Sequence, residues 1–427
     1  MENNPVIILF FVLGVIIAAA RIAGSIARRF DQPRVLGELV IGVILGPSLI
    51  DLLNASLFGI GEAHLQETII EFAELGVLLL MFKVGLEIHI NELIKVGRVA
   101  VLAGLLGALL PVALAMPLAM VFGYRWEPAL FAGVILAATS VSISAQVLIE
   151  IGVLRTKEGS ALLATALIDD IIAILLVSLA IAITGPQGSA SAGDLILIVG
   201  RMFGYIIIAF GIAWFIVPRV MNWIDKHPEA SQSYGNAAIA LIIVFVFGWS
   251  AEYLGGVAPI TGAFIAGAGL SRIQHRAKNE IDAAVSNISY AFLVPIFFVS
   301  VGLQTDLSSY PLSALPLTIA MLLVAVGSKI IGCGLGARIS GFNNTEALRL
   351  GVCMISRGEV GLIIASLGIS SGVLSTSDPL FATLFMVILL TTVLTPPLVR
   401  RVFQIGEGSD HRERGQSKTA VADISEH

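Results

Sequence analysis

The chain has 427 residues, 57% of them apolar and only 13% charged, with a mean hydropathy of +0.94. Soluble domains carry about 25% charged residues, so this composition excludes an ordinary soluble enzyme or nucleic-acid-binding module and points to a chain built into a bilayer. The formal net charge of −5 decides little, because in a membrane protein the placement of charges matters more than their sum.

The first apolar run, Pro5–Ala20, is preceded by Met-Glu-Asn-Asn and followed by arginines. A secretory signal carries its positive charge before the run, so this one reads as a first span with its N-terminus outside. A crossing needs roughly 20 apolar residues. On that measure the sequence divides into thirteen candidate spans: 5–23, 34–53, 68–88, 96–123, 128–150, 160–183, 195–218, 235–254, 256–271, 286–305, 313–338, 346–371 and 378–399. Basic residues check the division, because cytoplasmic loops accumulate Lys and Arg. The loops after odd-numbered spans and the tail hold twenty of the 25, from Arg21, Arg28, Arg29 and Arg34 to Arg412, Arg414 and Lys418. A wrong count would have scrambled this alternation. It puts the C-terminus inside.

Span 2 carries GELVIGVILGP and span 3 LGVLLLMFKVGLE. Lys83 lies near the cytoplasmic end of span 3, where a long side chain snorkels to the interface. Span 5 is interrupted by the polar stretch Ala138–Gln146, with Thr139, Ser140, Ser142 and Ser144. Each hydroxyl alone could bond back to a carbonyl of its own helix; the cluster points to a broken helix. Span 6 reads LIDD at its middle, Asp169 followed by Asp170. One aspartate at a helix centre costs roughly 2.5–3.5 kcal/mol, so two call for a reason. Adjacent helical positions point about 100° apart, so one carboxylate can face a cavity and the other a neighbouring helix.

Span 9 contains TGAFIAG and span 10 VPIFFVSVGL; span 11 holds Lys329 in mid-span, and span 12 the sequence ISRGEVG with Ser356, Arg357 and Glu359 at membrane depth. Irregular backbone survives there only inside protein or beside a watery cavity. Glu359 suits the positive N-terminus of a half-helix. Cys333 and Cys353 sit in apolar runs, with neither disulfide framework nor zinc spacing.

An internal repeat underlies these motifs. VGLEIHINEL from Val84 matches VGLQTDLSSY from Val301, and GELVIG from Gly37 matches GAFIAG from Gly262. Matched segments stand an odd number of spans apart, so the two halves face opposite ways. Inverted repeats with interrupted helices are a transporter architecture whose ion site lies near the midplane. Lys329 is the obvious partner for one aspartate. A carboxylate that accepts either a proton or a cation, never both, is the minimum machinery for exchange, and a hard oxygen ligand suits an alkali ion as it suits Ca²⁺. The fold class expected is an all-α membrane protein of about thirteen spans with two broken, crossing helices.

Taken together, these motifs resemble the cation:proton antiporter-2 superfamily over residues 5–400, and within it the sodium/proton antiporters with two adjacent aspartates. The resemblance implies a transmembrane domain over 1–402, with a core of about 96–183 and 313–399, a dimer scaffold in the remaining spans, and a short polar cytoplasmic tail at 403–427. It implies a homodimer in a cell inner membrane, working by an elevator motion, with electrogenic exchange of Na⁺ for H⁺ and no catalysis or cofactor. Position by position, Asp170 is the ion- and proton-carrying carboxylate, with Thr139 and Ser140 as further ligands for Na⁺. Asp169 pairs with Lys329, and Thr139, Ser140, Ser356, Arg357 and Glu359 belong to the crossing of the broken helices. Members of the glutathione-gated potassium efflux branch have Gln-Asp in place of the aspartate pair and a long nucleotide-binding C-terminal domain. The short tail here argues against such gating. Three other readings stay open at this point: a K⁺/H⁺ exchanger of the same fold, an ion channel, and an intramembrane aspartyl protease. The last needs carboxylates that face each other from separate helices.

Overall fold

A computed structural model describes residues 5–53, 62–87, 95–184, 192–225, 235–273, 275–304, 310–375 and 378–424. Every regular element among them is helical. The first half comprises α1 (Pro5–Arg29), α2 (Arg34–Leu45), α3 (Glu62–Glu87), α4 (Gly97–Val121), α5 (Trp126–Ala137), α6 (Val141–Glu150) and α7 (Lys157–Thr184). A connecting region holds α8 (Ala192–Phe215) and α9 (Val217–Asp225). The second half comprises α10 (Gly235–Ser250), α11 (Pro259–Leu270), α12 (His275–Ile288), α13 (Val294–Leu303), α14 (Leu315–Ile339), α15 (Asn344–Cys353), α16 (Glu359–Ser370) and α17 (Pro379–Ile424). Nine described stretches are long and apolar enough to cross a membrane; α11 is apolar but shorter, and α5 with α6 make one stretch of 25 residues that is buried through most of its length. In lipid, helices are the open-chain solution that pairs every backbone group within its own segment.

The repeat is visible in the helix starts. α4 and α14 begin at Gly97 and Leu315, α5 and α15 at Trp126 and Asn344, α6 and α16 at Val141 and Glu359, the same separation each time. α4 packs along α14, so repeat-related helices are also neighbours. Glycine explains two of the shared motifs. A Cβ on Gly42 of α2 would lie 2.3 Å from the Val299 oxygen, and one on Gly302 of α13 would lie 2.3 Å from the Val43 nitrogen. In the repeat-related contact, a Cβ on Gly267 of α11 would lie 2.1 Å from the Phe82 oxygen, and one on Gly85 of α3 would lie 2.2 Å from the Phe264 oxygen. These are the glycines of GELVIG, VGL, TGAFIAG and VGL again. Small residues let helix backbones approach in a bilayer, where packing replaces the hydrophobic drive.

Both interruptions read from sequence are present. The chain is non-helical over residues 138–140 and again over 355–358. A capping box starts α15: Asn343 Oδ1 accepts the Glu346 N–H at 2.8 Å, and the Glu346 carboxylate accepts the Asn343 N–H at 2.8 Å.

Lys83 finds carboxylate partners at its end of α3. Its side chain is 10% exposed, with Nζ 2.8 Å from Asp282 Oδ1 on α12 and 3.3 Å from Glu87 Oε1. Asp282 comes from a helix distant in sequence and its side chain is partly exposed, so the ammonium is neutralised where the bundle meets its surroundings.

Candidate functional site

The two breaks meet. The Ser140 N–H donates to the Ser356 carbonyl at 2.9 Å, and Ser356 Oγ donates to the Ser140 carbonyl at 2.6 Å. Ser144 Oγ donates to the Cys353 carbonyl at 2.5 Å and lies 3.2 Å from Ser356 Oγ. Ser140, Ser144 and Ser356 are all buried. Each interruption thus satisfies backbone groups that the other leaves exposed, as buried non-helical chain requires.

Arg357 is fully buried and spent on backbone. Its Nε and Nη2 donate to the Leu136 carbonyl at 3.0 and 2.7 Å, Nη2 also reaches the Ala325 carbonyl at 2.9 Å, and Nη1 reaches Ile355 at 2.5 Å. Leu136 lies in the last turn of α5, where carbonyls lack helical partners and the dipole favours a cation. The guanidinium therefore closes the half-helix end and ties it to α14. Thr392 of α17 donates its hydroxyl to the Arg357 carbonyl. Glu359 opens α16, with a side chain outside those described.

The two aspartates diverge as their helical spacing requires. Asp169 points toward α14, where Lys329 Nζ lies 2.9 Å from its Oδ1, with side-chain exposures of 0% and 1%. Asp170 points toward α11, where Thr261 Oγ1 donates to its Oδ2 at 3.3 Å. Asp170 is only half-buried. It lines a small cleft of about 20 Å³ with Val141, Leu167, Thr261 and Phe264. The structure thus brings Asp169, Asp170 and Lys329 to the middle of the bundle, with Ser140, Ser356 and Arg357 locking the crossing.

Several buried oxygens around this centre have no protein partner: Thr139 Oγ1, Ser142 Oγ, Thr165 Oγ1 and the second oxygen of Asp169. Orphaned buried acceptors in such number are where a structure takes up water or an ion. The sequence assigned no role to Thr261 or Thr165. Both were within reach: Thr261 begins the repeated glycine motif, and Thr165 stands one turn before Asp169 on the same face of α7.

The family model of the transmembrane sodium/hydrogen exchanger matches residues 8–404. The chain belongs to the sodium/hydrogen exchanger family. Family relatives include a Na(+)/H(+)-K(+) antiporter GerN of Bacillus cereus, 34% identical over 394 residues, covering 92% of this chain and 96% of the relative. A Na(+)/H(+) antiporter of Enterococcus hirae is 35% identical over 392 residues, covering 91% and 96%. In fold, the chain is similar to the sodium proton antiporter MjNhaP1 of Methanocaldococcus jannaschii, with a TM-score of 0.65 at 20% identity, covering 94% of this chain and 98% of that one. The exchanger chain is accordingly an integral membrane protein, related to transporters.

Proposed function

We propose that this chain is a secondary antiporter that exchanges Na⁺ for H⁺ by alternating access, with Asp170 as the carboxylate that holds either the cation or the proton. One observation carries the reading: two adjacent carboxylates at mid-helix point apart, one onto a buried lysine and the other into a cleft beside α11. The ion pair with Lys329 accounts for Asp169. Asp170 is the carboxylate of the pair that reaches a largely apolar cleft, where a charge at membrane depth marks a functional position. Channels also place charges at membrane depth, but an inverted repeat with broken helices and a titratable pair suits alternating access better, and an aspartyl protease needs carboxylates that converge.

The finer assignments belong to the same proposal. The chain is a double-aspartate member of the cation:proton antiporter-2 superfamily with thirteen crossings, and it works as a homodimer in a cytoplasmic membrane with its N-terminus outside and its C-terminus inside. The core is about 96–183 and 313–399, and the remaining spans to 402 form the scaffold. The cycle is electrogenic, because cation entry at Asp170 draws Asp169 from Lys329 and the desolvated lysine releases its proton. Thr139 and Ser140 lend oxygens to the ion. The Bacillus relative is named for K⁺ beside Na⁺, so K⁺/H⁺ exchange on the same site is the second reading.

Currents on a solid-supported membrane under gradients of Na⁺, Li⁺ and K⁺ at several pH values test the proposal. Antiport gives transient currents coupled to proton movement and saturable in cation. A steady conductance without proton coupling overturns it, and currents with K⁺ alone select the second reading.

A further inference from the structure

Helix α6 carries a second feature. Ser142, Gln146 and Glu150 recur every four residues, the spacing that lines up one helix face, and Thr139 stands just before them at the break. Thr139, Ser142 and Gln146 are 5%, 0% and 5% exposed. Each holds an oxygen without a protein partner: Thr139 Oγ1, Ser142 Oγ and Gln146 Oε1. This file of buried acceptors runs from the crossing to the end of α6, where Gly152 at φ +73° turns the chain toward α7.

There the file opens into a cavity of about 550 Å³ between α1, α2, α6, α13 and α17. Its inner wall holds Glu38, Gln146 and Glu150, with Gln32 and Tyr290 beside them. Glu38 is 8% exposed, and Gln32 Oε1 and the Tyr290 hydroxyl are buried without a protein partner. Arg21, Arg28, Arg34 and Arg400 line the same cavity. Two of them are engaged elsewhere: Arg21 donates to the Tyr290 carbonyl at 2.6 Å and Arg400 to Asp31 at 3.3 Å. Arg21, Arg28 and Arg34 are exposed and form a rim, while buried Glu38 and Gln146 and partly buried Glu150 offer oxygens, the ligands a hard cation takes. Glu150 also links two helices. Its Oε2 accepts the Arg34 N–H at the start of α2 at 2.7 Å, and its Oε1 accepts Gln146 Nε2 at 3.3 Å.

We propose that Glu38 and Glu150, with Gln146, form a second site for a monovalent cation, a staging site at the basic end of the bundle that feeds the Asp170 cleft along the polar face of α6. The inference rests on the antiport reading. It adds a stage that the aspartate pair does not supply, on helices α2 and α6 that the reading assigns to scaffold and core, so occupancy is coupled to their relative movement.

The test uses the full chain in proteoliposomes, with Na⁺ added from the side bearing the C-terminus or from the other side. Glu38→Gln and Glu150→Gln together should raise the apparent KM for Na⁺ from the C-terminal side about tenfold, with KM from the other side unchanged. Glu150→Asp should restore most of the affinity. KM values unchanged on both sides, raised equally on both, or unchanged beside a lowered melting temperature would each overturn the proposal, the last leaving Glu150 a structural tie alone. If the double variant does not fold, Glu150→Gln and Glu38→Gln singly must show the same one-sided shift, smaller in size, and its absence is equally fatal. Asp170→Asn in parallel separates the two readings: exchange surviving there defeats the assignment of the ion to Asp170, whatever the glutamates do.

Discussion

Lys329 places its ammonium 2.9 Å from Asp169 Oδ1, with both side chains closed off from solvent, while Asp170, the next residue along α7, engages a different helix. Two charges in a low-dielectric interior tolerate each other's presence far better than either tolerates the other's loss.

Removing one partner of such a pair costs about 3–5 kcal/mol, because the other charge stays buried and uncompensated. Lys329→Ala should therefore lower the melting temperature of the purified protein. Combining it with Asp169→Asn should recover part of the loss, and the double-mutant cycle reads the coupling directly. Strictly additive losses would mean that the pair contributes nothing as a pair. Transport current should fall or become electroneutral in Lys329→Ala, and an undiminished current would remove the lysine from the exchange step.

Arg357→Lys tests the closing of the α5 end. A guanidinium reaches the Leu136, Ala325 and Ile355 carbonyls at once; an ammonium is a compact point charge that lacks the planar fork. Hydrogen bonds to a charged group contribute about 1.5–3 kcal/mol each. The substitution should cost at least one of them, seen as a clear drop in thermal stability with the cation's apparent KM little changed. A wild-type melting temperature would show that the crossing holds without the fork.

How far sequence reaches here depends on what kind of partner a residue takes. The pair formed by Asp169 and Lys329 was legible, since charges at membrane depth must be paired and few candidates exist. The breaks were legible too, because polar residues interrupt apolar runs at repeat-related positions. The duty of Arg357 was hidden, since its partners are backbone carbonyls, which have no letter in the sequence. The partner of Lys83 was hidden for a related reason: Asp282 lies far along the chain on a helix that only the tertiary packing brings near. Glu38 and Gln146 stood inside motifs already singled out. Nothing in one dimension says that α2 and α6 converge on one cavity.

Orientation can be checked on one helix. Leu312, 81% exposed, precedes α14, and the exposed Asn344 follows it at the start of α15. Both native cysteines, Cys333 and Cys353, are buried and should stay silent toward a charged maleimide. Cysteines introduced at Leu312 and Asn344 should label from opposite sides of sealed vesicles, Asn344 from the side of the C-terminus. Labelling of both from one side would mean that α14 does not cross.

The central claim is that Asp170 carries the exchanged ion, and Asp170→Asn tests it most directly. The change keeps the side chain's size and its contact with Thr261 while removing the charge that a cation or proton neutralises. Na⁺-driven proton movement, followed with a pH-sensitive dye in proteoliposomes, should fall to the level of empty vesicles, with the melting temperature held or raised, since a neutral amide is less costly than a carboxylate in the bundle. Proton movement close to wild type in the folded variant would contradict the account and move the ion site away from Asp170.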